Sequence, residues 1–555
     1  MPRYAPRSRL ATHEVMNQPP EFAPGNLYLA DPVLREAARR EGGEWLDAPL
    51  SALGEAVGRE PVMEWGELAN RYPPELVGFD RYGRRIDEVR FHPAYHALME
   101  LAMRHRIHSV AWTQDRAGGH VAHAAMLALF SEAEAGTMCP ISMTHAAVPV
   151  LRREPSVAGP WLPRILEGTY DAPLRPIADK AGATIGMAMT EKQGGSDVRA
   201  NTTHAEPDGT EGPGAIYRLT GHKWFCSAPM SDAFLTLAYT KRGLSCFFVP
   251  RITLAGERNT IQVMRLKDKL GNRSNASSEI EYHGAEAVML GEAGRGVATI
   301  VDMVHQTRLD TMAGTLGVMR MALAQAVHHV HHRRAFQKLL IDQPAMRVVL
   351  ADLALEYEAA AALTMRVARA FGGSDEHERA FARLSVAIGK FWLGKRAPNF
   401  VYECMECLGG AGYVEESMLP RLYREAPLNS IWEGSGNVIA LDVLRTLARE
   451  PHASEVYHAE LSAARGGNAE LDTAARVLDE ELGRGACAES QARWLTERLA
   501  LALQAALLVR HAPSSVADLF CATRLGGSWG RSYGTLPAET DPSPILARTY
   551  QRLDS

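Results

Sequence analysis

The chain has 555 residues, 46% of them hydrophobic and 23% charged, with a formal net charge of −5 and a pI of about 6.5. The length corresponds to about three to four domains, and the composition is that of a soluble globular protein with a large core. The mild acidity excludes a protein that coats nucleic acid through bulk charge, although a local basic patch stays open.

The seven cysteines, Cys139, Cys226, Cys246, Cys404, Cys407, Cys487 and Cys521, are scattered, which reads as reduced thiols and a cytoplasmic location. The basic start, Met1 to Arg9, is followed by no apolar run of signal-peptide length and reads as a frayed tail. The longest apolar run, Leu499 to Val509, is broken by Gln504 and is too short to span a bilayer.

Residues 1–182 carry a mostly helical pattern, as in Pro32 to Arg40, His92 to Arg104 and Ala122 to Ala135. Met138 to His145 interrupts it with small polar residues and reads as an interhelical connection, with a binding-site wall as the alternative. Short apolar runs then replace helices: Thr184 to Met189, Tyr217 to Thr220, Phe234 to Tyr239, Cys246 to Pro250 and the alternating Ser278 to Tyr282. Turn residues separate them, so 183–293 is expected to be a small β domain. Residues 294–447 return to helix in long Ala/Leu-rich segments, Asp310 to His332, Gln343 to Phe371 and Glu378 to Leu408, with the lengths of antiparallel bundle helices. Residues 448–555 form a further helical block to about Val509 and then a Gly/Pro-rich tail.

Four stretches carry candidate chemistry. In Ser430 to Asn437, Trp432 and Glu433 precede two glycines that flank a serine, and Ser435 and Asn437 are placed to cap the helix starting at Val438. Glu433 is then a candidate general base beside an aromatic wall, or else a surface acid at an ordinary helix start. Thr190 to Asp197, with Gly194 and Gly195 adjacent, is a loop able to present backbone N–H groups to oxygens, or a structural turn. It lacks the spacing of a phosphate-binding Walker loop. His222 to Ser227 ends a predicted strand with an aromatic next to a small hydroxyl, fit either for flanking a planar ring or for core packing. His328 to Arg334 has histidines one turn apart but no acid or cysteine at ligand spacing, so a solvated or interfacial helix face is expected in place of a metal site. Cys404-x-x-Cys407 has no second pair and lies in a helical pattern.

Taken together and in this order, these elements resemble the acyl-CoA dehydrogenase family and, within it, the AidB-type flavoproteins. The resemblance rests on Thr190-Glu191 to Val198, Lys223 to Ser227, Arg333 to Phe336 with Lys338, Glu406 to Tyr413 and Trp432 to Ser435. Arg265 to Ser277 and Asn429 to Asn437 are similar to the AidB branch in particular. It implies a mostly α fold with a small β-barrel-like middle domain, a four-helix bundle and an extra C-terminal helical domain. It also implies FAD, an acyl-CoA substrate, a homotetramer, no membrane, and duplex DNA as a partner of the C-terminal block in an alkylation response.

Residue by residue, the resemblance gives Thr190 and Ser196 hydrogen bonds to the flavin, with the backbone of Met187, Ala188, Met189, Gly194 and Gly195 along the ring. Phe225, Cys226 and Ser227 form the strand beside it, Ser227 near flavin N5. Arg333 comes from a neighbouring subunit, and Gly409, Gly410, Ile431, Trp432, Gly434, Ser435 and Asn437 cover the rest. Glu433 is the base that takes a thioester α-proton; Thr307 stands where other branches carry theirs. Ser196, Arg308 and Arg445 are candidate substrate contacts, and Arg510, Arg524 and Arg531 candidate DNA contacts in a block whose acids outnumber its bases. Phe225 for tryptophan, Glu406 for glutamine and Arg445 near the site imply weak turnover, of a short branched acyl-CoA. The alternative is an ordinary catabolic dehydrogenase of short or branched acyl-CoA, with no DNA role.

Overall fold

The computed structural model describes residues 6–483 and 487–549. The first part of the expected frayed start and Arg484 of the last block lie outside these residues. Between 6 and 182 the chain is mostly helical, as expected, and two of its helices reach the site: α1 (Gly119–Ala133) and α2 (Met138–Leu151). α1 is buried along its whole length, which its nearly unbroken apolar sequence demands. The supposed connection at Met138 to His145 is the first half of α2, and Met138, Cys139, Ser142 and Met143 line a cavity from it, which is the alternative of a binding-site wall. An antiparallel hairpin, Glu75–Phe79 with Arg85–Arg90, was not expected from the helical pattern around it.

The middle region is a seven-stranded sheet. Its strands are β1 (Ile185–Ala188), β2 (His204–Pro207), β3 (Ile216–Ser227), β4 (Ala233–Thr240), β5 (Gly243–Pro250), β6 (Ile261–Leu266) and β7 (Ser277–Leu290). The order is β1-β4-β2-β3-β7-β5, β6 adds to β7, and a β4–β5 pairing closes the sheet on itself. Period-two alternation sorts the side chains: Ala188 and Cys226 point into the barrel core with Phe234 and Phe247, while Met187, Met189, Phe225 and Ser227 face outward to the cavity. A buried ion pair ties two of the sequence motifs together. Lys223 Nζ on β3 lies 2.8 Å from Glu191 Oε1, both side chains are inaccessible, and Glu191 also accepts from the backbone of Thr202 at 2.6 Å. Glu191 is held at about 2, its burial outweighed by Lys223 and these donors. The loop from Thr190 to Asp197 is therefore locked to the barrel.

The bundle is built from α3 (Gly296–His332), α4 (Pro344–Phe371) and α5 (Glu376–Cys407), with α6 (Gly436–Arg449) packed on α5. α3 begins 14 residues before the predicted Asp310, because Gly296 to Leu309 is one more amphipathic stretch of the same helix. The last block contributes α7 (Ala492–His511), which packs on α4, α5 and α6. No helix among the described residues is long and apolar enough to cross a membrane.

Candidate active site

A cavity of about 720 Å³ opens where the barrel, α2, α3 and the turn before α6 meet. Met187, Met189 and Phe225 form its barrel wall, with Thr190, Gly195, Ser196 and Ser227 as the polar groups on that side. Ile431, Trp432, Glu433, Gly434 and Ser435 form the opposite rim, and Arg308 and Arg445 also reach it. The fold thus brings together three of the four candidate stretches, those at Thr190, His222 and Glu433, with Arg308 of α3 and Arg445 of α6.

Glu433 sits in a left-handed backbone conformation, φ +57°, followed by Gly434 at +101°. Such a conformation is unfavourable for a residue with a side chain and persists only where neighbours enforce it. Here Arg308 Nε donates to the Glu433 carbonyl at 3.2 Å, and Lys390 Nζ donates to the Gly434 carbonyl. Arg308 is itself fixed by Asp442 at 2.7 Å, which also holds Arg383 at 3.0 Å. Thr307 Oγ1 donates to Glu433 Oε2 at 2.8 Å, so one carboxylate oxygen is positioned and the other is left to the cavity. Burial pushes the Glu433 carboxyl above its usual value and Asp310 adds to this, against the pull of Thr307, Arg308 and Lys390. Burial brings the Lys390 ammonium down to about 7, with Glu433 pulling it back up.

The expected helix cap is not formed as read: Ser435 takes the cap position of α6, but its side chain makes no capping hydrogen bond. Asn437 lies outside the cavity and meets Arg493 at 3.5 Å. Ala188 and Cys226 have turned their side chains into the barrel, leaving only backbone for a bound group, and Gly194 closes the loop by exchanging backbone hydrogen bonds with Glu191. Arg333, Gly409 and Gly410 lie off this cavity in the chain itself. Arg333 is at the end of α3, beside a hairpin whose tip residue Phe336 is 95% exposed with φ +49°. Arg308, expected to meet substrate, is committed on two sides to the turn and to Asp442.

Lys390, Asp310 and Glu425 are cavity or turn residues to which sequence reasoning gave no role at the site, whereas Ser142 lies in the stretch read alternatively as a binding-site wall. A lysine within Val386 to Leu393, an otherwise apolar run, is the one local signal that would have found Lys390. Glu425 lines the cavity and accepts from the Asn272 backbone at 2.6 Å. Burial and the neighbouring Glu134 push it up to about 7.

His123, His145 and Asp310 place ligand-capable atoms within 4.8 Å of one another. The two imidazoles are stacked, centroids 3.6 Å apart and planes 10° apart, so their in-plane lone pairs run side by side and do not converge on an ion. His123 Nδ1 donates to Ile107 O at 2.6 Å and Nε2 lies 2.8 Å from Asp310 Oδ1. At the histidine run on α3, His328 Nε2 meets the Pro20 carbonyl at 2.9 Å, a contact with another segment of the chain.

The C-terminal arginines divide. Arg524 is 6% exposed, pairs with Asp352 and with Glu356 at 3.2 Å, and lies 4.2 Å from the Trp529 ring centre. It is out of reach of a duplex, which corrects the expectation for this residue. Arg510 is engaged by Glu460 at 2.8 Å, and Arg531 is exposed.

Comparison with known proteins accounts for the whole arrangement. Residues 17–172 match the adaptive response protein AidB N-terminal domain, 186–285 the acyl-CoA dehydrogenase middle domain, and 294–448 the acyl-CoA dehydrogenase C-terminal domain. AidB of Escherichia coli (strain K12) is 46% identical over 519 residues, 93% of this chain and 94% of its own. The chain belongs to the acyl-CoA dehydrogenase family, in its AidB branch. Acyl-CoA dehydrogenase family member 11 of Caenorhabditis elegans is 33% identical over 445 residues, 76% of this chain and 71% of its own. The crystal structure of Caenorhabditis elegans ACDH-11 in complex with C11-CoA superposes with a TM-score of 0.84 at 28% identity, covering 94% of this chain and 93% of that one. A Bacillus anthracis acyl-CoA dehydrogenase complexed with FAD has a TM-score of 0.67 at 15% identity, covering 91% of this chain and 90% of that one, a likeness of fold.

As a member of the family the protein is an FAD-dependent dehydrogenase. The cavity fits that cofactor. Its volume is in the range of cofactor sites. Met187, Met189, Phe225 and Trp432 offer flat apolar walls, and Trp432 Nε1 and Asn272 Nδ2 are buried without partners, as donors awaiting a ligand's acceptors.

Proposed function

We propose that the protein removes the α and β hydrogens of an acyl-CoA, with Glu433 as the base. The single observation behind this reading is the Glu433 turn: a carboxylate held at positive φ, one oxygen fixed by Thr307, the other turned to the cavity. When bound, FAD supplies the acceptor for the β-hydride. Glu433 Oε1 takes the α-proton. Its raised pKa makes it a stronger base than an ordinary carboxylate, and Trp432 beside it keeps water away. Lys390 and Arg308 hold the two carbonyls of the turn, so the carboxylate keeps its place as its charge changes. The thioester is expected to lie between Glu433 and the barrel wall at Phe225 and Ser227, with Arg445, 57% exposed at the mouth, narrowing the entry.

Glu433→Gln should keep FAD and lose at least about 10²-fold in the rate at which an acyl-CoA bleaches the flavin. Bleaching at the wild-type rate would remove Glu433 from the role. For the wild type, the rate should rise with pH through a value above the usual carboxylate range, since only the ionised form accepts a proton.

A homotetramer is supported by the placement of Arg333, Gly409 and Gly410 off their own cavity, beside exposed Phe336 and Tyr413 (79% exposed). Binding of duplex DNA in an alkylation response is supported by the likeness to AidB and by exposed Arg531 on the C-terminal block. A cytoplasmic location is supported by the free, mostly buried thiols.

A further inference from the structure

The cavity continues beyond the candidate base. Thr307, hydrogen-bonded to Glu433, marks the level of the reaction on α3. Asp310 and Thr311 lie one turn further along, and Gly314 two turns, roughly 10 Å along the helix axis; all three line the cavity. A channel for a plain alkyl tail would be walled here by aliphatic side chains. Instead, Ser142 Oγ donates to Asp310 Oδ2, and Asp310 Oδ1 lies 2.8 Å from His123 Nε2. Thr311 Oγ1 donates to the Thr307 carbonyl at 2.8 Å. Ser131 Oγ is buried, 1% exposed, with no hydrogen-bond partner, and it too lines the cavity. Gly314 packs beside it, where a Cβ would stand in van der Waals contact 3.6 Å from Ser131 Oγ.

The donor and acceptor roles are unequal. Ser142 and Thr311 have already given their protons inside the protein and keep lone pairs for the cavity, while Ser131 keeps a proton to give. A buried hydroxyl without a partner is costly, so the arrangement calls for a ligand group that donates and accepts at once. Resting on the acyl-thioester reading above, we infer that the deep end of the cavity receives an acyl chain carrying a hydroxyl group, recognised by Ser131, Ser142 and Thr311. A methyl terminus leaves the Ser131 hydroxyl unpaired and gives the free lone pairs of Ser142 and Thr311 no donor. A carboxylate terminus sets acceptors against acceptors and brings a charge beside Asp310.

The test is a titration of the FAD-loaded protein with three acyl-CoAs of equal chain length, ω-hydroxy, unsubstituted and ω-carboxy, followed through the flavin absorption spectrum. The hydroxy compound should bind about tenfold more tightly than the unsubstituted one, and the carboxy compound most weakly. Ser131→Ala combined with Ser142→Ala should erase that preference while FAD content is unchanged. Equal or tighter binding of the unsubstituted chain to the wild type overturns the inference, as does a preference that survives both substitutions. The wild-type ranking decides alone if the double variant does not fold. If none of the three perturbs the flavin, the acyl-thioester reading falls, and this inference with it; a perturbation without the ranking overturns this inference only.

Discussion

The cavity and the C-terminal block differ in what becomes of their buried charges. Around Glu433, Trp432 Nε1, Asn272 Nδ2 and Ser131 Oγ are buried with nothing to bond, and one oxygen of the glutamate faces open space. Where the C-terminal block meets the bundle, charge is paired: Arg524 with Asp352 and Glu356, Arg510 with Glu460, Arg548 with Glu358 at 2.8 Å. Unpaired buried groups that line a cavity can be completed by a ligand, whereas buried ion pairs fasten elements together; unpartnered atoms also occur inside the block, at Gln504 and at Arg524 Nε, but do not line the cavity around Glu433. The block's buried arginines thus report attachment, and only its exposed ones bear on a partner.

The largest effect that sharpens this contrast is at Arg524. Arg524→Ala leaves Asp352 (0% exposed) and Glu356 (3% exposed) short of a counter-charge in the interior. Arg396, 3.1 Å from Glu356, and Trp529 Nε1, 2.9 Å from Asp352, remain as partial substitutes. The loss should be about 3 kcal/mol of stability by urea denaturation with an unchanged slope. A variant as stable as the wild type would mean that this arginine is not a fastening and would reopen its availability to DNA.

On the cavity side, Glu425 is the group whose charge is least at ease. Its carboxyl is raised from 4.5 to about 7 by burial and by Glu134. A carboxyl with a native value above its unfolded one binds its proton more tightly when folded. The stability it contributes is therefore complete below about pH 4.5 and is lost as pH rises through about 7. Glu425→Gln keeps an acceptor for the Asn272 backbone and cannot ionise. Between those pH values the wild type should lose about 3 kcal/mol more than the variant, read as the gap between their denaturation midpoints. Parallel pH profiles would show that Glu425 is at ease as a charge.

What the sequence made legible follows from locality. Helices α4 and α5 were visible because their apolar period is local, and the barrel because short apolar runs alternate with turns. The Thr190 loop, the β3 end and the Glu433 turn were recognisable because each motif is contiguous. Their joining was not: Glu191 and Lys223 are 32 positions apart, and the clamp on Glu433 comes from Thr307, Arg308 and Lys390 on two other helices. Nor does a linear reading say whether an arginine is spent, since Arg524 is consumed by acids more than 160 positions earlier. The helix at Met138 was obscured because its polar residues, of which Ser142 lines the cavity, weaken the apolar pattern used to find helices.

Arg531 supplies the smallest effect and the most direct test of the exposed half of the contrast. It stands on the surface of the tail after Trp529, and among the described residues no acid is paired with it. Arg531→Ala should therefore leave thermal stability within about 0.5 kcal/mol of the wild type. If the C-terminal block meets phosphate, the same change weakens binding of duplex DNA evenly across sequences and lowers the dependence of log affinity on log salt by about 1 for each phosphate that is no longer neutralised. The acid-rich balance of the block means that such phosphate pairings must be few and local, so each arginine should register separately in the salt slope. An unchanged slope together with unchanged affinity would place any DNA-binding surface away from this tail, and the contrast between paired and exposed arginines would then carry no information about a nucleic-acid partner.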